Sequence, residues 1–264
     1  MDRKPFKLPL RKGSTPHWTC PTCGKGSLKQ KKDTFSSHET SNSRDHSHDA
    51  WEPEWITYQF SCQLTCTNET CAEVIICSGE GGVELDQYYD EDGHTREDWN
   101  DFFIPKYFQP NLKLFELPKS CPDSILIPIT ESFKLYFSSP SAAANCIRIA
   151  IEQLLTEQNV KRYDKKNGKL SYVSLHRRID LLPSKFDQYK EVLMAIKWLG
   201  NAGSHDNNTI TQDDVLDSYE FVEHVINEIY ASKSKELVAR ARKVNKSKGP
   251  SKKKKSKGVG GALF

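Results

Sequence analysis

Two pairs of cysteines stand at spacings suited to a metal ion. Cys20 and Cys23 flank a Pro-Thr turn in HWTCPTCGKGSL, and Cys66 and Cys71 flank TNET in ITYQFSCQLTCTNETC. A tight turn aims both of its sulfurs the same way, and four thiolates from two such turns close a tetrahedral zinc site, as in zinc ribbons. Six of the eight cysteines fall before residue 78. In a reducing compartment that clustering points to metal rather than disulfides. Cys62 offers an alternative x3 pairing with Cys66. It lies inside an alternating strand, however, whereas Cys71 follows a turn, so Cys66 and Cys71 are the preferred second pair. Four protein ligands leave no open coordination position, and the expected Zn2+ is therefore structural. His38, His46 and His48 are read as decorating a solvated loop.

A second constellation lies in WLGNAGSHD, Trp198 to Asp206. On a continuous helix Lys197, Asn201 and His205 share one face, at i, i+4 and i+8. A polar site of that kind can pair a base that takes a proton with a cation that holds developing negative charge. His205 has the chemistry of the base, and Lys197 or Arg148 that of the cation. The competing reading is structural. Gly200 and Gly203 then end the helix, Asn201 and His205 cap neighbouring helix ends, Arg148 and Glu152 form an i,i+4 ion pair, and Trp198 is core. A third feature is KSKGPSKKKK, in which Lys252, Lys253, Lys254 and Lys255 are suited to nucleic-acid backbone without reading sequence. It lacks interleaved aromatics for base stacking, and a solubilising terminus has the same composition.

The elements that must position these groups change character along the chain. ITYQFSCQLTC and AEVIICSGEGG read as strands around the TNET turn. The polar run from about Lys31 to Asp49 reads as a loop insertion. Acidic ELDQYYDEDGHTREDWND leads into FFIPKYFQPNLKLFELP, whose prolines suggest short edge strands, and LPKSCPDS reads as a connector. From Ile125 the period becomes helical. A first helix is expected around Thr130 to Phe137, and a second starts at Ser139-Pro140 with Ala143, Ile147, Ile151 and Leu154 on one face. After the basic loop KRYDKKNGK, Leu175, Ile179 and Leu182 mark a short third helix, and Tyr189 to Leu199 a fourth. A fifth begins at TQDD, where Thr211 and Asp214 have capping-box spacing. Five helices with short connections predict an antiparallel bundle. The fold class is thus α+β: a zinc-ribbon-like small β domain over residues 1–117, an all-α bundle over 118–245, and a disordered Lys-rich tail over 246–264.

Charge divides the same way. Of 38 basic and 35 acidic residues, the stretch from Ala231 to Phe264 holds 12 basic and one acidic. The remainder carries 26 basic against 34 acidic, a net of −8. A body of that sign argues against a broad nucleic-acid face on it, since phosphate contacts need clustered cations. No apolar run approaches the roughly 18 residues of a membrane span. A soluble, cytoplasmic protein without membrane contact is expected.

Residues Ile125 to Tyr230 resemble the HEPN-like domain of unknown function 4145 family. The resemblance is carried by LIPITESFKLYFSSPSAAANCIRIAIEQLL, LHRRIDLL and IKWLGNAGSHD in that order, and CPTCG resembles the zinc-binding segment that often precedes that domain. The resemblance implies a helical bundle that commonly homodimerises, found beside restriction-type or antiviral defence components. It also implies, for active members, metal-independent endoribonuclease chemistry using Arg, a polar residue and His. Asn201 and His205 match that spacing, but Gly200 stands where the arginine belongs. The expected function is therefore a non-catalytic module that binds RNA, DNA or a defence-system protein partner. The alternatives are an endoribonuclease centred on His205 and an adaptor or toxin-like subunit acting through its partner.

Overall fold

The computed structural model describes residues 1–166, 168–202 and 210–249. The N-terminal half forms a five-stranded antiparallel sheet. Its central strand β3 (Thr57–Cys66) pairs on one side with both β1 (Leu28–Gln30) and β2 (Ser36–Glu39). On the other side lies β4 (Val74–Tyr89), followed by β5 (Thr95–Gln109). Alternation sets the inner face: Phe60, Cys62, Leu64 and Cys66 of β3 point inward with Ile75 and Cys77 of β4. Phe35, Tyr58, Phe60 and Phe103 meet there with ring centroids 4.8–5.9 Å apart. The N-terminal segment returns along β5, Leu10 and Phe103 exchanging backbone hydrogen bonds of 2.7 and 2.9 Å.

Two sequence expectations fail in this half. The run from Lys31 to Asp49 contains β2, whose Ser36 to Glu39 pair with Ser61 to Tyr58. The acidic stretch does not lead to short edge strands. It forms the far part of a long β4–β5 hairpin, paired from Ile76↔Gln109 out to Tyr89↔Thr95. Charge density there hid a period-2 pattern in which both faces are wet.

The C-terminal half is helical: α1 (Asp123–Leu135), α2 (Pro140–Glu157), α3 (Leu175–Asp180), α4 (Lys190–Ala202), α5 (Gln212–Tyr230) and α6 (Ser232–Ser247). The apolar stripe read along the second helix lies inward, with Ala143, Ile147, Ile151 and Leu154 all buried. That makes α2 the hub, packed against α1, α4 and α5. The capping box is present, Thr211 Oγ1 accepting from the Asp214 N–H at 3.2 Å while Asp214 accepts from the Thr211 N–H at 2.8 Å. The first helix begins at Asp123 rather than near Thr130. The basic loop is a small hairpin, β6 (Tyr163–Lys166) with β7 (Lys169–Tyr172). Beyond α5 the backbone turns out of helix at Ala231 and re-enters it as α6. Among the described residues there are thus six helices rather than five, and helix reaches Ser247. No described helix is long and apolar enough to cross a membrane.

A single buried apolar cluster runs from Leu10 and Trp18 in the β unit to Val225 and Ile226 in α5. Phe108 of β5 meets Phe137 just past α1 at 4.9 Å. Arg3 bridges Asp217 and Glu220 on α5 at 2.7 and 2.5 Å, and the terminal amine reaches Glu223 at 3.3 Å. The first ten residues therefore strap the sheet to the helices.

Candidate functional site

The two cysteine turns converge. Cys20 and Cys71 sulfurs lie 3.8 Å apart and Cys23 and Cys66 sulfurs 3.7 Å apart, with all four within 4.8 Å of one another. Local backbone explains why. After Cys23 the chain turns back through Gly24 at φ +64°, whose N–H donates to the Cys20 carbonyl at 2.9 Å. The Cys20 N–H donates to the Gly26 carbonyl at 2.8 Å, closing the first turn. The second turn is held by Asn68, whose carbonyl accepts from the N–H groups of Cys71 and Ala72, each at 2.9 Å. Thr67 N–H donates to the Ser27 carbonyl at 2.9 Å and ties the turns together. Gly26 sits at their closest approach: a Cβ there would lie 2.5 Å from the Cys66 sulfur and 2.8 Å from the Asn68 nitrogen.

The donors are electrostatically unequal. N–H groups of Gly26 and Lys25 hold the Cys23 thiol down to about 6, while burial pushes Cys66 up to about 12. Four sulfurs at about 2.3 Å from a tetrahedral ion are about 3.8 Å apart, and two edges of this cluster already have that length. The four cysteines are thus close enough to hold a metal ion, in a geometry compatible with zinc. Cys62, the alternative ligand, stands across β3–β4 from Cys77. A hydrogen bond between the two thiols lowers Cys62 and raises Cys77. His46 is not among the converging groups. It pairs with Glu39 at 2.9 Å.

The helix-junction residues are arranged differently. Lys197 and Asn201 both lie within α4, which runs through Gly200 to Ala202, so Gly200 does not end the helix. Gly200 instead faces α2. A Cβ at that position would lie 2.5 Å from Arg148 Cβ and 3.1 Å from the Ala144 carbonyl. Arg148 therefore comes to the corner from the neighbouring helix. Its guanidinium is held there, donating to Asn145 at 3.1 Å and to Glu152 at 2.5 Å. Tyr172 of the β6–β7 hairpin donates to the other Glu152 oxygen at 3.1 Å. Lys197 is only 8% exposed, its ammonium 3.2 Å above the Trp198 ring. Trp198 is not core: it is 56% exposed, with the His176 ring nearly perpendicular to it at 6.3 Å. A residue between Lys197 and Leu199 on an amphipathic helix points sideways, which apolar character alone does not reveal. His205, Gly203 and Lys252 to Lys255 lie outside the described residues.

One residue at this corner escaped the sequence reading. Arg178 of α3 is fully buried and donates to the Glu152 carbonyl at 3.1 Å, Thr156 Oγ1 at 2.8 Å and the Val160 carbonyl at 3.2 Å. Its three acceptors lie in and just beyond the last turns of α2, where a cation has the sign that suits a helix C-terminus. Its position was legible, since Arg178 and Ile179 are i+3 and i+4 from Leu175 and share the buried face.

Residues 8–108 match the model of a family described as Domain of unknown function (DUF8608). Residues 130–247 match that of a family described as Domain of unknown function (DUF4145). No curated protein and no solved structure matches the chain. The segment that carries the cysteine cluster is thus similar to the first family, and the helical segment that follows it to the second.

Proposed function

We propose that this chain is a non-catalytic binding module in which a structural zinc ion locks the two cysteine turns of a ribbon-like β unit, and a HEPN-like helical unit supplies the scaffold. The observation that supports it is the commitment of the corner cations. Phosphate cleavage needs a cation free to meet charge that develops on the substrate. Arg148 is instead spent on Asn145 and Glu152, and Lys197 lies over Trp198. Position 200, where an active relative carries arginine, is filled by the flank of Arg148. Zinc would supply a four-point crosslink and no reactive position; the chain's own residues do the orienting. On this reading such a module works beside defence or restriction components, as a homodimer that meets RNA, DNA or a protein partner, in keeping with the resemblance. Lys252 to Lys255 are the residues suited to nucleic-acid backbone.

The test is incubation of the full chain with labelled RNA in the presence of a chelator, beside His205→Ala. No cleavage at high protein concentration is expected. Cleavage that persists in chelator and disappears in His205→Ala would replace this reading with the endoribonuclease. Deletion from Lys246 onward is expected to abolish salt-sensitive retention on nucleic acid; unchanged retention would remove the lysines from the account.

A further inference from the structure

The β4–β5 hairpin continues well past the sheet that roots it. β3 leaves β4 at Thr57↔Gly82, and Leu10 leaves β5 at Phe103. From Val83↔Asp101 to Tyr89↔Thr95 the two strands pair only with each other among the described residues. The 3₁₀ turn Pro53–Trp55 packs against β4, and Arg11 braces the root through Glu84 and the Asp101 carbonyl. The outer part is a two-stranded arm exposed on both faces.

Its composition is one-sided. Between Val83 and Asp101 there are eight acidic residues and one arginine. Register sorts them. Leu85↔Trp99, Gln87↔Glu97 and Tyr89↔Thr95 lie on one face, and Asp86↔Asp98 with Tyr88↔Arg96 on the other. Leu85, Tyr88, Tyr89 and Trp99 are all exposed, Tyr89 at 77%. Asp86 and Asp98 are direct cross-strand partners, a like-charge pairing that costs the free arm stability. Asp98 also holds the Tyr88 phenol above its usual range through a hydrogen bond.

Protection against edge-to-edge aggregation explains charge on an exposed hairpin but not this pattern. Acidic residues guard an edge, whereas exposed Trp and Tyr beside them raise the aggregation hazard. Unpaired backbone edges, carboxylates and exposed aromatic faces together describe a receptor for cations on an extended chain. The edge takes main-chain hydrogen bonds, the carboxylates take ammonium or guanidinium groups, and the rings take the same groups by cation–π contact. We infer that the β4–β5 arm is a docking surface for an extended Lys/Arg-rich polypeptide segment of a partner protein. This deepens the binding-module reading by naming one of its surfaces. Nucleic acid is repelled by the same charges.

The test uses the full chain and a fluorescein-labelled Lys-rich decapeptide, followed by anisotropy at low and high salt. Binding that weakens with salt is expected. Asp86→Asn with Asp98→Asn should weaken it roughly tenfold while leaving the thermal midpoint equal or higher, because the same change removes a repulsion. Trp99→Ala should also weaken it roughly tenfold. Opposite signs on affinity and stability separate loss of the surface from loss of the fold. Affinity unchanged in both variants, or no binding at all, overturns the inference. So does equal binding of spermine, which would show counterion attraction without a chain. Binding seen only after deletion of residues 250–264 would overturn the partner assignment in favour of the chain's own Lys-rich segment. The RNA assay is independent of all these outcomes, so loss of the arm and loss of the binding-module reading are distinguishable.

Discussion

Gly200→Ala is the sharpest probe of the helix junction. In an isolated helix the change stabilises, since alanine exceeds glycine by about 1 kcal/mol in helix propensity. In this protein the new Cβ would stand 2.5 Å from Arg148 Cβ, 3.1 Å from the Ala144 carbonyl oxygen and 3.2 Å from Arg148 Cδ. Two of those three atoms belong to the root of a side chain or to backbone, so they yield only if α2 and α4 move apart. Overpacking of that kind costs about 1–3 kcal/mol. The net expectation is a destabilisation of about 0–2 kcal/mol, that is, up to roughly 8 °C in thermal midpoint for a chain of this size. Urea unfolding followed by far-ultraviolet circular dichroism measures it. The contact also predicts the rescue. Arg148→Ala keeps the offending Cβ and should not relieve the strain, whereas Arg148→Gly should. A Gly200→Ala protein that gains the full propensity increment would refute the close approach of α2 and α4, and with it the case that position 200 has no room for an arginine.

Metal content separates the cysteines: Cys71→Ser should lose the expected one zinc per chain and more than about 3 kcal/mol of stability, while Cys62→Ser should keep the metal. Elemental analysis after dialysis decides this, and the reverse pattern would reassign the ligand set. Arg178→Met should destabilise by about 1–3 kcal/mol, because it strips a charged donor from three buried acceptors near the end of α2; equilibrium unfolding equal to or more stable than wild type would contradict it. Arg3 holds the Glu220 carboxyl below its usual 4.5. Such a depressed group contributes stability above its unfolded value, and that contribution is lost as pH falls through the lower folded value. Thermal midpoints from about pH 5 to about pH 3 should therefore fall less steeply in Glu220→Gln than in the parent; parallel slopes would show that the N-terminal strap is not coupled to folding.

Local patterns carried much of the fold. The 3.6-residue period of Ala143, Ile147, Ile151 and Leu154 needs no partner to be read, and neither does the capping box at Thr211 and Asp214. Paired cysteine spacing likewise identified the four sulfurs that converge, because each pair is made by its own turn. Tertiary structure decided the rest. The acidic stretch became an arm because its two halves pair with each other across the turn at residues 90–94, and its charges masked the alternation. Gly200 reads as a helix stop in isolation; only the approach of α2, with Arg148 at the contact, shows that the glycine makes room rather than ends a helix. Trp198 and Arg178 exchange their usual places for the same reason. Hydropathy assigns a residue to inside or outside on average, whereas the neighbouring helix determines which side of α4 is wet and which buried acceptors near the end of α2 take a donor from α3.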